Sequence, residues 1–271
     1  MEIIRPMKLE LSVVIPVYNE VDSLETLATE LHEALTMLGR SAEIIFVDDG
    51  STDGSDRVLR RLAAADPRVR VIRFGRNAGQ SAAFYAGLRA SRGRYVATLD
   101  ADLQNDPRDL AVLWKYLAQC DAAVGWRSRR RDGWLKRLSS RVANGVRRAV
   151  TRHAVHDSSC SLRLMRRECV NAIPPFDGMH RFVPTLVQLA GFRVIEVPVT
   201  HRPRNFGRSK YGIRNRAARA FADLLAIRWM MSRHLEPYVA IEADEPGPST
   251  LPSPQKRVMG GGPGRGRGPT A

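Results

Sequence analysis

The sequence of 271 residues has few cysteines, few aromatic residues and no long apolar run. Its three cysteines, Cys120, Cys160 and Cys169, show no metal-site spacing, and their odd number argues against a disulfide framework. We therefore expect free thiols in a reducing compartment such as the cytoplasm. No apolar stretch reaches about 18 residues, and the N-terminal segment contains acidic residues, unlike a signal peptide. These absences predict a cytoplasmic protein without a transmembrane segment.

Acidic residues are scarce relative to basic ones, with 28 Asp and Glu against 43 Lys and Arg, so the net charge is +15. This charge predicts an anionic partner, which could be a nucleic acid, an acidic membrane surface or a phosphorylated substrate. The plain alternative is a solvated surface rich in arginine. The basic residues are concentrated in 127–152 and 202–219. Aromatic residues make up 7% and show no RNA-recognition pattern, so a nucleic-acid partner is not expected.

Two common nucleotide-binding motifs are also missing. The first strand is not followed by GxGxxG, and no GxxxxGKS/T occurs, so a dinucleotide-binding Rossmann domain and a P-loop lose their main support. Residues 11–126 instead alternate short apolar strands with helical patterns. This alternation predicts an α/β fold with a mostly parallel sheet covered by helices on both faces. The predicted strands are 11–15, which Pro16 ends, 42–47, 69–74, 94–99 and 121–126.

After the fifth predicted strand the pattern changes. Residues 127–152 are strongly basic, and residues 160–165 and 192–199 are predicted to be further strands. Residues 213–235 predict a long amphipathic helix, whose apolar face could lie on an anionic bilayer or pack against the protein's own core. Residues 243–271 are rich in Pro, Gly and Arg, a composition typical of a disordered tail.

Polar loops follow four of the predicted strands. In parallel sheets, ligands bind beyond the carboxyl ends of the strands. We therefore expect four loops to meet along one edge of the sheet, namely 16–20, 48–53, 75–79 and 100–104.

The last of these loops carries the clearest chemistry. Asp100 and Asp102 are two residues apart, so in extended backbone they point to the same side and repel each other unless a cation lies between them. Their carboxylates, with the amide oxygen of Gln104, suit Mg²⁺ or Mn²⁺ rather than zinc. The alternative is a structural role in which Asp102 or Asn105 caps the following helix.

The first two loops allow both a binding and a structural interpretation. In "VDDGSTDG", a carboxylate can accept a hydrogen bond from a nucleobase, or Ser51 or Asp53 can cap a helix. In "PVYNE", Tyr18 offers an aromatic face and Glu20 a carboxylate, whereas Asn19 could cap a helix.

Five segments, read in order, resemble the family 2 inverting glycosyltransferases. They are "LSVVIPVYNE", "VDDGSTDGS", "GRNAGQSAAFYAGLRASRGRYVATLDADLQNDP", "DSSCSLRLMRRE" and "RPRNFGRSKYG". The similarity covers roughly residues 10–235. It is closest to the polyprenol-phosphate branch, which includes dolichol-phosphate mannose synthases and bacterial undecaprenyl-phosphate sugar transferases.

The resemblance implies a GT-A glycosyltransferase domain over residues 1–235, with a nucleotide-sugar part at about 10–126 and an acceptor part at about 127–235. The implied nucleoside contacts are Pro16, Tyr18, Glu20 and Asp48 or Asp49. The implied contacts of the donor diphosphate and its metal are Asp100, Ala101, Asp102 and Gln104, with the metal itself on Asp100, Asp102 and Gln104. Arg127 corresponds to a basic residue that contacts the diphosphate.

The segment "RPRNFGRSKY" matches a mobile loop that closes over the donor. The phosphate contacts that the resemblance implies in this loop are Arg204, Ser209 and Lys210. Its other two arginines, Arg202 and Arg208, could be ordinary surface charges. Asp157 is the matching candidate for a general base or for a residue that orients the acceptor.

The implied reaction is metal-dependent, inverting transfer of a sugar from a GDP- or UDP-linked donor to a dolichyl or undecaprenyl phosphate at the cytoplasmic membrane face. The alternative is an enzyme that extends a hydroxyl of a surface polysaccharide or glycolipid, and a nucleic-acid-binding protein is a distant third. Many family members continue into membrane helices, whereas this chain continues into a Gly/Pro/Arg-rich tail. We therefore expect peripheral attachment to the inner membrane face, through its anionic surface or through a separate membrane-anchoring subunit.

Overall fold

One seven-stranded sheet forms the centre of the fold. The structure, a computed structural model, describes residues 9–127, 160–203, 223, 225–230 and 232–233. The strands are β1 (Leu11–Val17), β2 (Ala42–Asp48), β3 (Val69–Arg73), β4 (Tyr95–Thr98), β5 (Ala122–Trp126), β6 (Arg163–Arg166) and β7 (Val194–Pro198). The helices are α1 (Leu24–Leu38), α2 (Ser55–Ala65), α3 (Gln80–Ala90), α4 (Asp109–Tyr116), α5 (Arg167–Asn171) and α6 (Val183–Leu189), with a 3₁₀ turn at Met179–Arg181.

Parallel pairing dominates this sheet, whose strand order is β3-β2-β1-β4-β6-β5-β7. Strand β1 pairs in parallel with β2 and β4, β2 pairs with β3, and β5 pairs with β7. Strand β6 runs antiparallel between β4 and β5. The carboxyl ends of β1 to β4 therefore meet at one edge, which is where ligands bind in such sheets.

Alternating side chains of the strands pack against helices on the two faces of the sheet. In β1, Leu11, Val13 and Ile15 are buried in a core that they share with α1, α2 and α4. Val14 instead packs with α3, α5 and α6 on the other face. A strand covered on both faces requires this alternation. The predicted α/β fold with helices on both faces is confirmed.

Helix α3 lies close to the sheet because Gly87 has no side chain. A Cβ atom at this position would lie 2.3 Å from Val14 Cγ1 and 3.0 Å from Val47 Cγ2. The helix therefore packs directly on β1 and β2, and its first residue, Gln80, reaches the carboxyl edge of the sheet.

Strand β1 differs from its prediction, because it continues through Pro16 to Val17. Val14 accepts a hydrogen bond from Leu99 on the β4 side, and Pro16, two residues on, faces the same side. Pairing with β4 ends at Val14, so Pro16 lies beyond the end of β4. A proline without an N–H group is tolerated there because no ladder bond is needed.

Part of the predicted amphipathic helix 213–235 is described, and residues 223, 225–230 and 232 are helical. Ile227 is fully buried in the core shared with α3 and α6, whereas Leu225 and Trp229 are 49% and 64% exposed. Within the part of the chain that the structure describes, no helix has both the length and the apolar character needed to cross a membrane. The predicted tail, 243–271, lies outside the described residues.

A buried carboxylate joins several elements at the opposite, amino edge of the sheet. Glu43 on β2 accepts hydrogen bonds from Ser12 Oγ (2.7 Å), Arg92 N–H (2.8 Å) and Arg70 Nη1 (2.6 Å). Burial alone would raise the pKa of Glu43, but these hydrogen bonds and the charge of Arg70 lower it below its ordinary value of 4.5. The ionised form of Glu43 therefore stabilises the fold at neutral pH.

We predict that Glu43→Gln lowers the free energy of unfolding at neutral pH by about 2 kcal/mol, because a charged hydrogen-bond acceptor is lost. This corresponds to a melting temperature lower by roughly 4–8 °C. Since folding lowers the pKa of Glu43, its contribution is fully present above its ordinary pKa of 4.5 and is lost as the pH falls through the lower, folded-state pKa. Melting curves at acid and neutral pH test this, and equal destabilisation at every pH would contradict it.

Candidate active site

Reciprocal hydrogen bonds join the loop after β1 to the loop after β2. The Asn19 N–H donates to Ser51 Oγ (2.9 Å), and the Asn19 Oδ1 accepts from the Thr52 N–H (2.7 Å). Asn19 has a φ of 54°, a left-handed conformation that asparagine adopts more readily than most residues. Asn19 therefore links two loops and is not a helix cap, because Ser23 occupies the N-cap position of α1.

Asp53 strengthens the same junction. Its Oδ1 accepts hydrogen bonds from the N–H (2.9 Å) and hydroxyl (2.6 Å) of Ser55, and its Oδ2 accepts from the Val21 N–H (3.1 Å). Burial would raise the pKa of Asp53, but these bonds lower it. Asp53 therefore bonds to the first residue of α2 and ties this helix to the loop after β1. However, Gly54 occupies the N-cap position and none of the side chains that the structure describes caps the helix, so the prediction that Ser51 or Asp53 is its cap is wrong.

Asp49 connects the loop after β2 to the loop after β3. Its carboxylate accepts hydrogen bonds from Ala78 N–H (2.6 Å), Gly79 N–H (2.9 Å) and the Asn77 side-chain amide (2.9 Å). Burial still raises the pKa of Asp49. Gly50, with a φ of +70°, permits the close approach, because a Cβ there would lie 2.7 Å from Asn77 N. Both oxygens of Asp49 are therefore already used inside the protein.

Asp48, the neighbouring residue, has one carboxylate oxygen that no described residue satisfies with a hydrogen bond. Its side chain is 1% exposed, and its Oδ1 accepts a hydrogen bond from Ser51 N–H (2.9 Å). Among the described residues, its Oδ2 has no hydrogen-bond partner, although Arg73 Nε lies 3.5 Å away. A buried carboxylate oxygen is costly to leave unsatisfied. Asp48 is therefore prepared to accept a hydrogen bond from a ligand.

The acidic loop, Asp100–Asp106, follows β4 and is attached to its neighbours at its first residue. Gln80 donates from Nε2 to Asp100 Oδ1 (3.2 Å), so α3 contacts the loop directly. The Asp100 N–H donates to Ser161 Oγ (3.2 Å), which also accepts from Asn105 Nδ2 (2.9 Å). Hydrogen bonds thus connect all four polar loops, and the prediction that they meet at one edge is confirmed.

The surroundings of Asp100 disfavour its charge. Burial raises the pKa of Asp100, and repulsion from Asp102 raises it further. A hydrogen bond from Ser161 and the charges of Arg163 and Arg127 act in the opposite direction without reversing the shift. A divalent cation beside both carboxylates would relieve this repulsion.

Leu103, at the centre of the acidic loop, adopts a left-handed conformation with a φ of 60°. This conformation costs a residue other than glycine on the order of 1–2 kcal/mol and persists only where the surroundings hold it. Leu103 is buried, and Asp102 Oδ1 accepts from the Gln104 N–H (3.2 Å).

Within the described residues, no side chain caps α4, so the interpretation of Asp102 or Asn105 as its cap is wrong.

The oxygen atoms of the acidic loop fit a hard divalent cation. Asp100 and Asp102 supply carboxylates and Gln104 supplies an amide oxygen, a set that suits Mg²⁺ or Mn²⁺. In the described ranges, no three His, Cys, Asp or Glu side chains come together as a metal-binding group. The described protein therefore offers part of a coordination shell, and phosphate oxygens of a substrate suit the remaining positions.

The remaining predicted residues either lie at the carboxyl edge of the sheet or fall outside the described part of the chain. Pro16, Tyr18 and Glu20 lie half-buried at the carboxyl end of β1. Ala101 is buried, and its methyl group packs in the core. Four predicted site residues lie outside the described part of the chain, namely Asp157, Arg204, Ser209 and Lys210, and so does Arg208, which was interpreted as a possible surface charge.

Several residues around the acidic loop were not predicted as part of the site. Gln80 and Ser161 bond to Asp100, and the buried Arg163 acts on its charge. Ser161 and Arg163 lie close to Asp100 because β6 pairs with β4. No hydrophobic pattern in the sequence indicates this position of β6 in the sheet. Arg202, interpreted from the sequence as a possible surface charge, pairs instead with Glu30 and Asp106 of the acidic loop.

The sequence has clear relatives among known proteins. The sequence model of glycosyl transferase family 2 matches residues 12–173. The chain is 37% identical over 235 residues to a dodecaprenyl-phosphate galacturonate synthase of Rhizobium johnstonii, across 84% of this chain and 69% of that protein. It is 41% identical over 204 residues to an undecaprenyl-phosphate 4-deoxy-4-formamido-L-arabinose transferase of Edwardsiella ictaluri, across 74% and 63%. The chain spans about two thirds of the length of these relatives.

Solved structures share the fold at lower sequence identity. A mannosyltransferase from Pyrobaculum calidifontis, in complex with GDP-Man and Mn²⁺, matches with a TM-score of 0.60 and 22% identity, over 82% of this chain and 67% of that one. A glucosyl-3-phosphoglycerate synthase from Mycobacterium tuberculosis, in complex with Mn²⁺, UDP and glucosyl-3-phosphoglycerate, matches with a TM-score of 0.62 and 18% identity, over 83% and 80%. These matches confirm the predicted GT-A fold class.

Proposed function

Because the chain belongs to glycosyl transferase family 2, we propose that it transfers a sugar from a nucleotide-sugar donor to a polyprenyl phosphate. The observation that carries this proposal is the set of four hydrogen-bonded loops that ends in the paired carboxylates of the acidic loop. The acceptor class is supported by two relatives whose names contain dodecaprenyl phosphate and undecaprenyl phosphate.

We assign the nucleoside of the donor to the loops after β1 and β2. The unsatisfied Oδ2 of Asp48 supports this, because a nucleobase N–H could supply the missing hydrogen bond. Tyr18 offers an aromatic ring for stacking, Pro16 lies near the end of β1, and Glu20 lies in the loop that follows. Asp49 is less suited to contact the base, because its oxygens already hold the loop after β3.

We assign the donor diphosphate to the acidic loop. Asp100, Asp102 and Gln104 would hold Mg²⁺ or Mn²⁺, and the backbone at Ala101 would lie alongside. Such an ion, when bound, neutralises negative charge that develops on the departing diphosphate. Arg127 is assigned to the same diphosphate, because it already acts on the charge of Asp100.

A polyprenyl phosphate brings its own nucleophile. Its phosphate oxygen is anionic at neutral pH, so its attack on the anomeric carbon requires little help from a general base. The bond from this oxygen to the anomeric carbon forms as the bond from that carbon to the diphosphate breaks. Basic side chains must then hold two anionic groups together, a role that we assign to Arg204 and Lys210, with Ser209 as a further phosphate contact. Asp157 is assigned to orient the acceptor.

We predict that the protein transfers a labelled sugar from a GDP- or UDP-linked donor to a short polyprenyl phosphate only when Mn²⁺ or Mg²⁺ is present. Asp102→Asn should reduce turnover about 100-fold or more, because a charged metal ligand is lost. As a control for charge, Glu25→Gln removes a well-exposed carboxylate of α1 and should change turnover by less than about twofold. Wild-type turnover in excess chelator would rule out the metal assignment.

The same assay separates a lipid-phosphate acceptor from a sugar-hydroxyl acceptor. Loss of a true general base costs about 10²–10⁴-fold, whereas loss of a charged contact costs roughly 30–150-fold. For a phosphate acceptor, Asp157→Asn should retain measurable transfer with a shallow pH profile, while Arg204→Ala and Lys210→Ala lose most of it. An inactive Asp157→Asn protein, together with a wild type that prefers a sugar hydroxyl, would support the glycan-extending alternative.

We also infer that the protein associates with the anionic, cytoplasmic face of a membrane, where such an acceptor would be presented. Leu225 and Trp229 are exposed one helical turn apart, and Arg228 and Arg233 are exposed beside them. Apolar and basic side chains in this arrangement are typical of helices that lie in a membrane interface. The net charge of +15 adds attraction to anionic lipids. A separate anchoring subunit is the alternative means of attachment.

We predict that the protein co-sediments with anionic vesicles and is released by salt, because salt screens the attraction. The double substitution Leu225→Ser, Trp229→Ser should weaken binding about tenfold or more, because two apolar side chains no longer enter the interface. Met37→Ser, which alters an even more exposed apolar residue on α1, serves as the control. Equal binding to neutral vesicles at low salt would contradict the inference, and an unaffected double variant would favour another means of attachment.

A further inference from the structure

Arg202, which follows β7, joins the acidic loop to helix α1. Its Nη1 donates to both carboxylate oxygens of Glu30, at 2.7 and 2.8 Å, and its Nη2 donates to Asp106 Oδ2 at 2.5 Å. The Arg202 side chain is 28% exposed, and those of Glu30 and Asp106 are 18% and 14% exposed. This is a forked, largely shielded ion-pair network, a geometry that a guanidinium group can form and an ammonium group cannot.

The backbone around Arg202 also follows the acidic loop. The Arg202 N–H donates to the Gln104 carbonyl (2.9 Å), and His201 forms an antiparallel bridge with Asn105. The Arg202 side chain and backbone therefore hold the second half of the acidic loop from two directions.

The two halves of the acidic loop are thus supported separately. Asp100, in the first half, is held by Gln80 and Ser161. The second half begins after Leu103, whose left-handed conformation persists only where the surrounding structure holds it. Contacts from Arg202 support the second half.

Electrostatics also favour a specific role for Arg202. Glu30 and Asp106 both bond to it, and Asp109, the first residue of α4, lies close by. Burial raises the pKa of Asp109, repulsion from Asp106 adds to this, and Arg202 opposes it. Replacing Arg202 with a neutral residue would leave these carboxylates to repel each other beside the proposed metal site.

We propose that Arg202 is a positioning residue for the donor site, which holds Gln104 and Asp106 so that the acidic loop can bind a divalent cation together with a nucleoside diphosphate. This inference rests on the proposed function, because it assumes that the acidic loop binds that cation. In this role Arg202 contacts neither the cation nor the substrate. Its effect is on the geometry of the residues that do.

The test measures Mn²⁺ binding by the electron paramagnetic resonance signal of free Mn²⁺ at a fixed concentration of GDP or UDP, corrected for the Mn²⁺–nucleotide complex measured without protein. Arg202→Lys keeps the positive charge but cannot form the forked hydrogen bonds to Glu30 and Asp106, and Arg202→Gln loses both the charge and the forked geometry. We expect both variants to bind Mn²⁺ about 10- to 100-fold more weakly than wild type, as is typical when a residue that orients metal ligands is replaced. Arg61→Gln, which breaks an exposed ion pair between α2 and α1, is the matched control and should leave Mn²⁺ affinity unchanged.

A kinetic measurement separates positioning from general destabilisation. At saturating Mn²⁺, the Arg202→Lys protein should recover kcat to within about threefold of wild type, while its half-saturating Mn²⁺ concentration stays raised in parallel with the binding defect. Melting curves report whether the variants are folded. Wild-type Mn²⁺ affinity in a folded Arg202→Lys protein would overturn the proposal, since charge alone would then suffice.

A double-mutant cycle on the contact between Arg202 and Asp106 gives a second test of the proposal. Asp106→Asn removes the same contact from the other side, so the Arg202→Gln, Asp106→Asn protein should bind Mn²⁺ no more weakly than the weaker single variant. Additive losses would show that the two residues act independently and would overturn the proposal. If the wild type itself binds no Mn²⁺ with either nucleotide, the proposed metal-dependent function fails as well, whereas failure confined to the Arg202 variants leaves that function intact.

Discussion

Hydrogen bonds from backbone N–H groups to buried carboxylates hold the carboxyl edge of the sheet together, and the site depends on them. A carboxylate withdrawn from water destabilises a protein unless its oxygens are satisfied. The buried Asp49 meets this requirement with the N–H groups of Ala78 and Gly79, and the more exposed Asp53 adds a bond from that of Val21. Each of these bonds crosses from one loop to the next, so the position of one loop constrains its neighbour.

This linkage explains how separate loops could form one donor site. Asp49 holds the segment that leads into α3, α3 presents Gln80, and Gln80 contacts Asp100. The oxygen that remains on Asp48 and the crowded carboxylates of the acidic loop lie at opposite ends of this series. Groups fixed in advance need not reorganise when charge develops during a reaction, which is the main source of electrostatic catalysis. A rigid carboxyl edge is therefore consistent with a site for a charged nucleotide donor.

Local patterns in the sequence were sufficient to predict most of the fold and part of the site. Continuous apolar strands revealed the sheet, and the spacing of Asp100 and Asp102 at a strand end indicated the paired carboxylates. Spacing could not show that the oxygens of Asp49 are used inside the protein while Asp48 keeps one for a ligand. The difference arises because the loop after β3 donates hydrogen bonds to Asp49. Spacing could not reveal the pairing of Arg202 with Glu30 either, since the two residues are 172 positions apart and meet only when β7 joins the sheet.

The central claim is that the acidic loop binds a divalent cation while the loops after β1 and β2 hold the nucleoside. The most direct test is an anomalous difference map from crystals grown with Mn²⁺ and GDP or UDP. The account predicts a manganese peak in contact with the carboxylates of Asp100 and Asp102, with the base within hydrogen-bond distance of Asp48 Oδ2. A nucleotide bound at this edge with manganese absent from the acidic loop, or a peak at a different set of ligands, would contradict it.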